Sequence, residues 1–206
     1  MAKTSTKLAL LTGAAALGLF STTFAADAPE LMSGASARML SETCAGCHGT
    51  DGASVGPAIP TLGGMNGEYF VELMQGYKED EVYGTIMNRI AKGYTEEEIA
   101  LMASFFAGKD FKPAKQKFDE GMVKKGLKLH DKYCEKCHSE GGKILEDEEY
   151  YILAGQWTPY LANALSDFRE ERREMPKKMK KKLDKLIEKE GEEGIDALWA
   201  YYASEQ

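Results

Sequence analysis

Apolar residues recur at three- and four-residue spacing in several short stretches, separated by Gly-rich and polar breaks, and that spacing predicts helices. Ser36 to Cys44 reads as one helix and Lys124 to Cys134 as another. Glu68 to Tyr77 and Thr158 to Phe168 form a second matching pair. Thr95 followed by Glu96, Glu97 and Glu98 is a capping-box start for a helix reaching about Ala107. Its counterpart runs from about Ile195 to Ala203. No stretch sustains period-two alternation, so the expected fold class is all-α without a sheet.

The helices come in the same order twice because the chain repeats itself. Cys44, Cys47 and His48 match Cys134, Cys137 and His138 at an offset of 90. At an offset of 91, Leu62-Gly63-Gly64 matches Leu153-Ala154-Gly155, Tyr69-Phe70 matches Tyr160-Leu161, and Tyr77-Lys78 matches Phe168-Arg169. A repeat this long is a duplicated domain rather than a solenoid unit. The boundary falls near Lys109 to Pro113, where helical pattern gives way to charge and a proline. The expected division is residues 26–111 and residues 112–206, after a leader at residues 1–25. Each half is small for an independent core, so a buried prosthetic group would supply much of the missing apolar mass.

The anchor of the repeat is Cys-x-x-Cys-His, present as Cys44-Ala45-Gly46-Cys47-His48 and Cys134-Glu135-Lys136-Cys137-His138. Two thiols about a turn apart reach the two vinyl groups of one haem, and the adjacent imidazole becomes an axial iron ligand. Both copies together use all four cysteines. Zinc would also suit four Cys and two His, but one shared site would have to clamp two segments 90 residues apart. A redox disulfide leaves the histidine unexplained. The expected cofactors are therefore two covalently bound haem c groups. Each half then has the helix, CxxCH, loop, helix, loop, helix order of a class I cytochrome c domain.

A closed, low-spin site needs a sixth ligand, and a Met thioether is one option. In the first half Met87 lies just before the capped last helix and is the expected ligand; core packing is the plainer role expected of Met65, Met74 and Met102. In the second half the repeat offset lands beside Met179, with Met175 as the reserve. Choosing Met179 places extra residues afterwards, between Leu183 and Gly194, where Glu190-Gly191-Glu192-Glu193-Gly194 reads as an inserted loop. The other nitrogen of an axial imidazole normally donates to a carbonyl. Gly56-Pro57 offers one in the first half; no proline lies between His138 and Pro159 in the second, so the partner of His138 stays open. His130, four residues before Cys134, is expected as a partly exposed non-ligand. Trp157, Trp199, Tyr201 and Tyr202 are expected around the second haem.

Residues 1–25 read as a secretory signal: Lys3 and Lys7, an apolar run from Leu8 to Phe20, then Thr23-Phe24-Ala25. The run is short for a membrane span, so a periplasmic mature chain from Ala26 is expected, with no span of its own. Without Lys3 and Lys7 the 26 basic residues fall to 24 against 33 acidic ones, a net charge of −9. Such a chain is a poor nucleic-acid binder, because phosphate affinity depends on Lys and Arg. Against this background, residues 169–189 hold ten Lys or Arg around Met179, either an ordinary solvated helix or a surface that steers an acidic redox partner.

Gly155-Gln156, Tyr160-Leu161, Phe168-Arg169 and Asp196 to Tyr202 resemble the dihaem cytochrome c4 type. Segments 44–59, 85–94, 129–143 and 152–173 resemble more closely the cytochrome subunit of flavocytochrome c sulfide dehydrogenase. That resemblance implies a partner flavoprotein subunit carrying covalent FAD, which oxidises sulfide, and a soluble c-type cytochrome as electron acceptor. The dihaem subunit would pass electrons one at a time, with the first-half haem towards the flavin, and would be no enzyme by itself. No dinucleotide-binding fingerprint occurs in the chain, in keeping with FAD belonging to the partner. A free-standing cytochrome c4-like shuttle to a terminal oxidase is one alternative. A dihaem peroxidase is another, and it would need an open iron position that two Met ligands deny.

Overall fold

Ser36 stands in extended geometry and its hydroxyl accepts the Met39 amide, which starts α1 (Ala37–Glu42). In the computed structural model, which describes residues 34–143 and 151–206, the chain then turns directly into α2 (Ala45–His48) and a single 3-10 turn, Thr50–Gly52. α3 (Gly67–Lys78), α4 (Met87–Ala91) and α5 (Glu96–Ala107) complete the first half. The second contains α6 (Glu120–Tyr133), the short α7 (Ser139–Gly142), α8 (Thr158–Arg169) and α9 (Lys177–Ser204). The described residues contain no strand, as the periodicity predicts.

The capping box at Thr95 forms as expected. Its hydroxyl accepts the Glu98 amide at 3.2 Å and the Glu98 carboxylate accepts the Thr95 amide at 2.9 Å. α6 begins four residues earlier than predicted, because the Asp119 carboxylate caps it by accepting the Gly121 amide at 2.8 Å. The inserted loop expected at Glu190–Gly194 is reduced to a single kink at Gly191, where φ is 66°, with helix on either side of it. Met179, Leu183, Leu186 and Ile187 lie on one side at helical spacing, and Leu186 is buried in the second core. The many lysines between them hid that apolar stripe.

In the first half α1 packs on α5, and α3 on α4 and α5, around Leu40, Phe70, Met74, Ile99, Met102 and Phe106. In the second, α6 lies along α9 over Leu129, Tyr133, Leu186, Leu198, Tyr201 and Tyr202. Each such side chain contributes about 1.5–3 kcal/mol by leaving water. The α6–α9 contact is close enough that a Cβ on Gly126 would sit 1.9 Å from the Ala197 carbonyl oxygen.

The repeat extends to the backbone. The Gly52 carbonyl accepts the Leu62 and Gly63 amides, and the Gly142 carbonyl accepts those of Leu153 and Ala154. Gly64 donates to Phe106 as Gly155 donates to Tyr202, each at 2.8 Å. Between the halves lies a buried amide. Gln156 accepts the Thr61 amide at 2.9 Å and donates to the Thr61 carbonyl at 3.2 Å and the Tyr151 hydroxyl at 2.8 Å. Arg173 crosses the same seam to the Tyr83 carbonyl at 2.7 Å and the Tyr77 hydroxyl at 3.0 Å. The leader expected at residues 1–25 lies outside the described residues; among those described, no helix is long and apolar enough to cross a membrane.

Candidate haem sites

Each CxxCH motif closes the same turn. Cys47 and His48 donate their amides to the Cys44 carbonyl at 3.1 and 2.8 Å; Cys137 and His138 donate to Cys134, both at 3.0 Å. α1 delivers the first motif and α6 the second, so each pair of thiols is held at the end of a helix packed into its own core.

His48 is buried, and its Nδ1 donates to the Pro60 carbonyl at 2.9 Å, which leaves Nε2 as the nitrogen available to a metal. The carbonyl expected from Pro57 therefore comes from a different proline. The Ile59 amide closes a turn on the Gly56 carbonyl at 3.1 Å, Pro57 forms its corner, and Pro60 arrives opposite the ring. Burial lowers the basicity of His48, while the Pro60 bond opposes this, and the neutral imidazole is the ligating form.

All four cysteines are free of disulfides. Burial raises the Cys44 thiol and pushes Cys134 up to about 11. A thiol held protonated is a poor redox nucleophile. Among the described residues no group of three or more His, Cys, Asp or Glu could hold a metal ion, so the shared zinc site finds no support there. Conversion to an uncharged thioether is compatible with the same burial. The donor sets and their surroundings fit haem c.

Met87 is the first residue of α4, partly buried against the first core. Met179 lies in the first turn of α9, with Met175 four residues before it, and both are partly buried. The expected exposure of His130 is not observed. It is fully buried, with Nδ1 2.8 Å from the Tyr202 hydroxyl and Nε2 2.9 Å from both a Glu135 carboxylate oxygen and the His138 carbonyl. The repeat offset places it opposite Leu40, itself fully buried, and that was the signal available for its burial. Tyr201 and Tyr202 pack against its ring, and Trp199 against Tyr202. Trp157 turns away from this group and donates its indole N–H to the Ser54 carbonyl at 3.1 Å, across the seam.

The basic island divides in two. Its arginines are tied into the structure: Arg169 to Glu192 at 2.7 and 3.0 Å, Arg172 to Asp167 at 2.8 Å and to Glu170, and Arg173 to the first half. Lys177, Lys178, Lys181, Lys182 and Lys185 stand exposed along α9. Lys182 lies on the helix packed against α6, whose end carries Cys134, and lowers that thiol electrostatically against the larger effect of burial.

The cytochrome c family profile matches residues 35–108. Cytochrome c4 of Azotobacter vinelandii is 31% identical over 147 residues, covering 63% of this chain and 69% of that protein. The chain belongs to the cytochrome c4 family. Its fold agrees: the crystal structure of reduced recombinant cytochrome c4 from Pseudomonas stutzeri superposes with a TM-score of 0.67 at 23% identity, covering 82% of this chain and 97% of that one. The cytochrome subunit of sulfide dehydrogenase from Chlorobaculum tepidum is 47% identical over 68 residues, covering 33% of this chain and 61% of that protein. Like other members of the cytochrome c4 family, the chain is an electron-transfer protein, and its cytochrome c domain implies covalently bound haem c. Two such groups fit its dihaem relatives and its two motifs.

Proposed function

We propose that the chain is the dihaem electron-transfer subunit of a periplasmic flavocytochrome c sulfide dehydrogenase. In this reading it takes electrons from the FAD of a flavoprotein subunit and passes them to a soluble c-type cytochrome. The observation that carries the reading is the 47% identity to a sulfide dehydrogenase cytochrome subunit, joined to two motifs built on one repeated backbone. Residues 26–111 and 112–206 form the two haem domains. Cys44, Cys47 and His48 with Met87 hold the first haem; Cys134, Cys137 and His138 with Met179 hold the second. The placement of Met87 and Met179 in the first turns of α4 and α9 supports pairing them.

Haem supplies a reversible one-electron couple, and the chain's residues keep that chemistry closed. His48 is oriented by Pro60, so its ring need not reorganise when charge changes. The cysteines sit at helix ends, with Cys44 and Cys134 packed against their own cores and Cys47 exposed at the surface. No residue of this chain acts on sulfide; that two-electron step belongs to the flavoprotein. The exposed lysine face of α9 beside Cys134 would receive an acidic acceptor at the second haem.

Pull-down from native periplasm, read by flavin and haem spectra, tests this. A flavoprotein should co-purify, and sulfide should reduce both haems of the complex. A second reading, a free-standing cytochrome c4-like shuttle, is favoured by the longer cytochrome c4 match, 147 residues against 68. Absence of flavin from every complex would select it. Failure of the reduced protein to bind carbon monoxide separates both from a peroxidase.

A further inference from the structure

The repeated backbone sets His130 opposite Leu40 and Glu135 opposite Ala45, by their places relative to the first cysteine of each motif. It sets Tyr202 opposite Phe106 on two counts. Their carbonyls accept the equivalent amides of Gly155 and Gly64, and their rings lie against the equivalent left-handed glycines, Gly142 and Gly52. The first half fills this position with hydrocarbon, Leu40 at 0% and Phe106 at 1% exposure. The second half puts an imidazole, a phenol and a carboxylate there.

Packing does not require that exchange. A buried imidazole costs free energy unless both nitrogens are bonded, and Leu with Phe serves the same space one domain earlier. In the second half every bond is made. Nε2 faces two acceptors at 2.9 Å, Glu135 and the His138 carbonyl, so it carries a proton, and Nδ1 shares a hydrogen bond with the Tyr202 hydroxyl at 2.8 Å. The same Glu135 oxygen takes the Gly141 amide at 3.1 Å. The ring thus joins α6, the motif loop and the end of α9, and Glu135 ties in the turn after the motif.

We infer that His130 is a positioning residue for the second haem site, and that its bonds to Glu135 and the His138 carbonyl set that site's potential apart from the first. The inference rests on the proposed reading of Cys134, Cys137 and His138 as a haem site. Two opposed fields act there: the His130 N–H dipole favours an added electron, and the Glu135 carboxylate opposes it. Leu40 and Ala45 supply neither at the first site. Removing the histidine leaves the carboxylate with less compensation, whereas removing the carboxylate's charge does the reverse.

The test uses the full haem-loaded protein, redox titration with electron paramagnetic resonance, and haem assignment by NMR contacts to Tyr202. In His130→Leu, the reduced-to-oxidised ratio of the second haem at its former midpoint should fall about three- to tenfold, the scale of one lost hydrogen bond. Glu135→Gln should raise it, and His130→Gln, which keeps a donor, should recover most of the wild-type value. The second haem's signal should change shape with the His138 setting, while the first haem's midpoint stays put. Should His130→Leu fail to mature, Glu135→Gln and Tyr202→Phe carry the test, since the first removes the charge facing His130 and the second its bond to Tyr202. An unmoved second potential and signal in the folded variants overturns the inference, as do shifts shared equally by both haems or of one sign throughout. Haem content in the wild type reads the underlying assignment separately: fewer than two haems per chain defeats the site reading itself.

Discussion

Gln156 is fully buried, and its amide spends every group on its neighbours: Oε1 accepts from Thr61, and Nε2 donates to Thr61 and Tyr151. Replacing it with Ala strands the Thr61 amide and carbonyl between the halves. The expected cost is about 1–3 kcal/mol, read as a lower thermal midpoint with unchanged haem content. In the sequence this residue is visible only as part of the Gly155-Gln156 resemblance, since a glutamine gives no sign of which backbone it will meet. The cysteines and axial histidines are the opposite case, because their chemistry is local and their spacing is a property of one turn. Pro57 and Pro60 fall between. That a proline region would serve His48 is legible, but which carbonyl faces the ring depends on a turn that the residue types alone leave open.

At the scale of elements, helix identity was legible wherever apolar spacing and caps agreed, as at Thr95 and along α3 and α8. It failed in part at Glu190–Gly194, where glycines and glutamates suggest a loop but only Gly191 leaves helical geometry. Gly126 has no sequence signal of its own, yet the α6–α9 contact depends on its missing side chain. Gly126→Ala should force the helices apart, at about 1–3 kcal/mol or more for overpacking, and lower the denaturation midpoint. The equivalent change at Gly121, on the exposed start of α6, should do much less.

Across the whole molecule, the seam between the halves gathers Tyr69, Tyr77, Tyr151 and Tyr160, with ring centroids of neighbouring members 5.6–5.9 Å apart. Burial pushes the Tyr160 phenol up to about 12 from an ordinary 10.0, and raises Tyr69 and Tyr151 as well. An unfolded chain ionises its tyrosines near the ordinary value while the folded one resists. The stability they support is therefore complete below about pH 10 and falls as the pH climbs towards 12. Alkaline titration followed by phenolate absorbance should show unfolding in that window, and Tyr160→Phe should shift it to higher pH. The exposed lysines of α9 make a second prediction at this scale. Lys178→Glu with Lys182→Glu should slow electron delivery to an acidic cytochrome acceptor at low salt, and the difference should fade at high salt as charges are screened. Equal rates at low salt would remove α9 from the docking surface.

The order of residues alone determined the helical class, the duplication and both haem-attachment motifs, because each is written in spacing along a single stretch of chain. Only the tertiary structure decided how the two copies differ. Whether His130 is exposed or bonded on every side, which proline serves His48, and which arginines bind across the seam all depend on groups brought together from distant positions. Burial and hydrogen bonding act between segments, and periodicity within a segment does not record them.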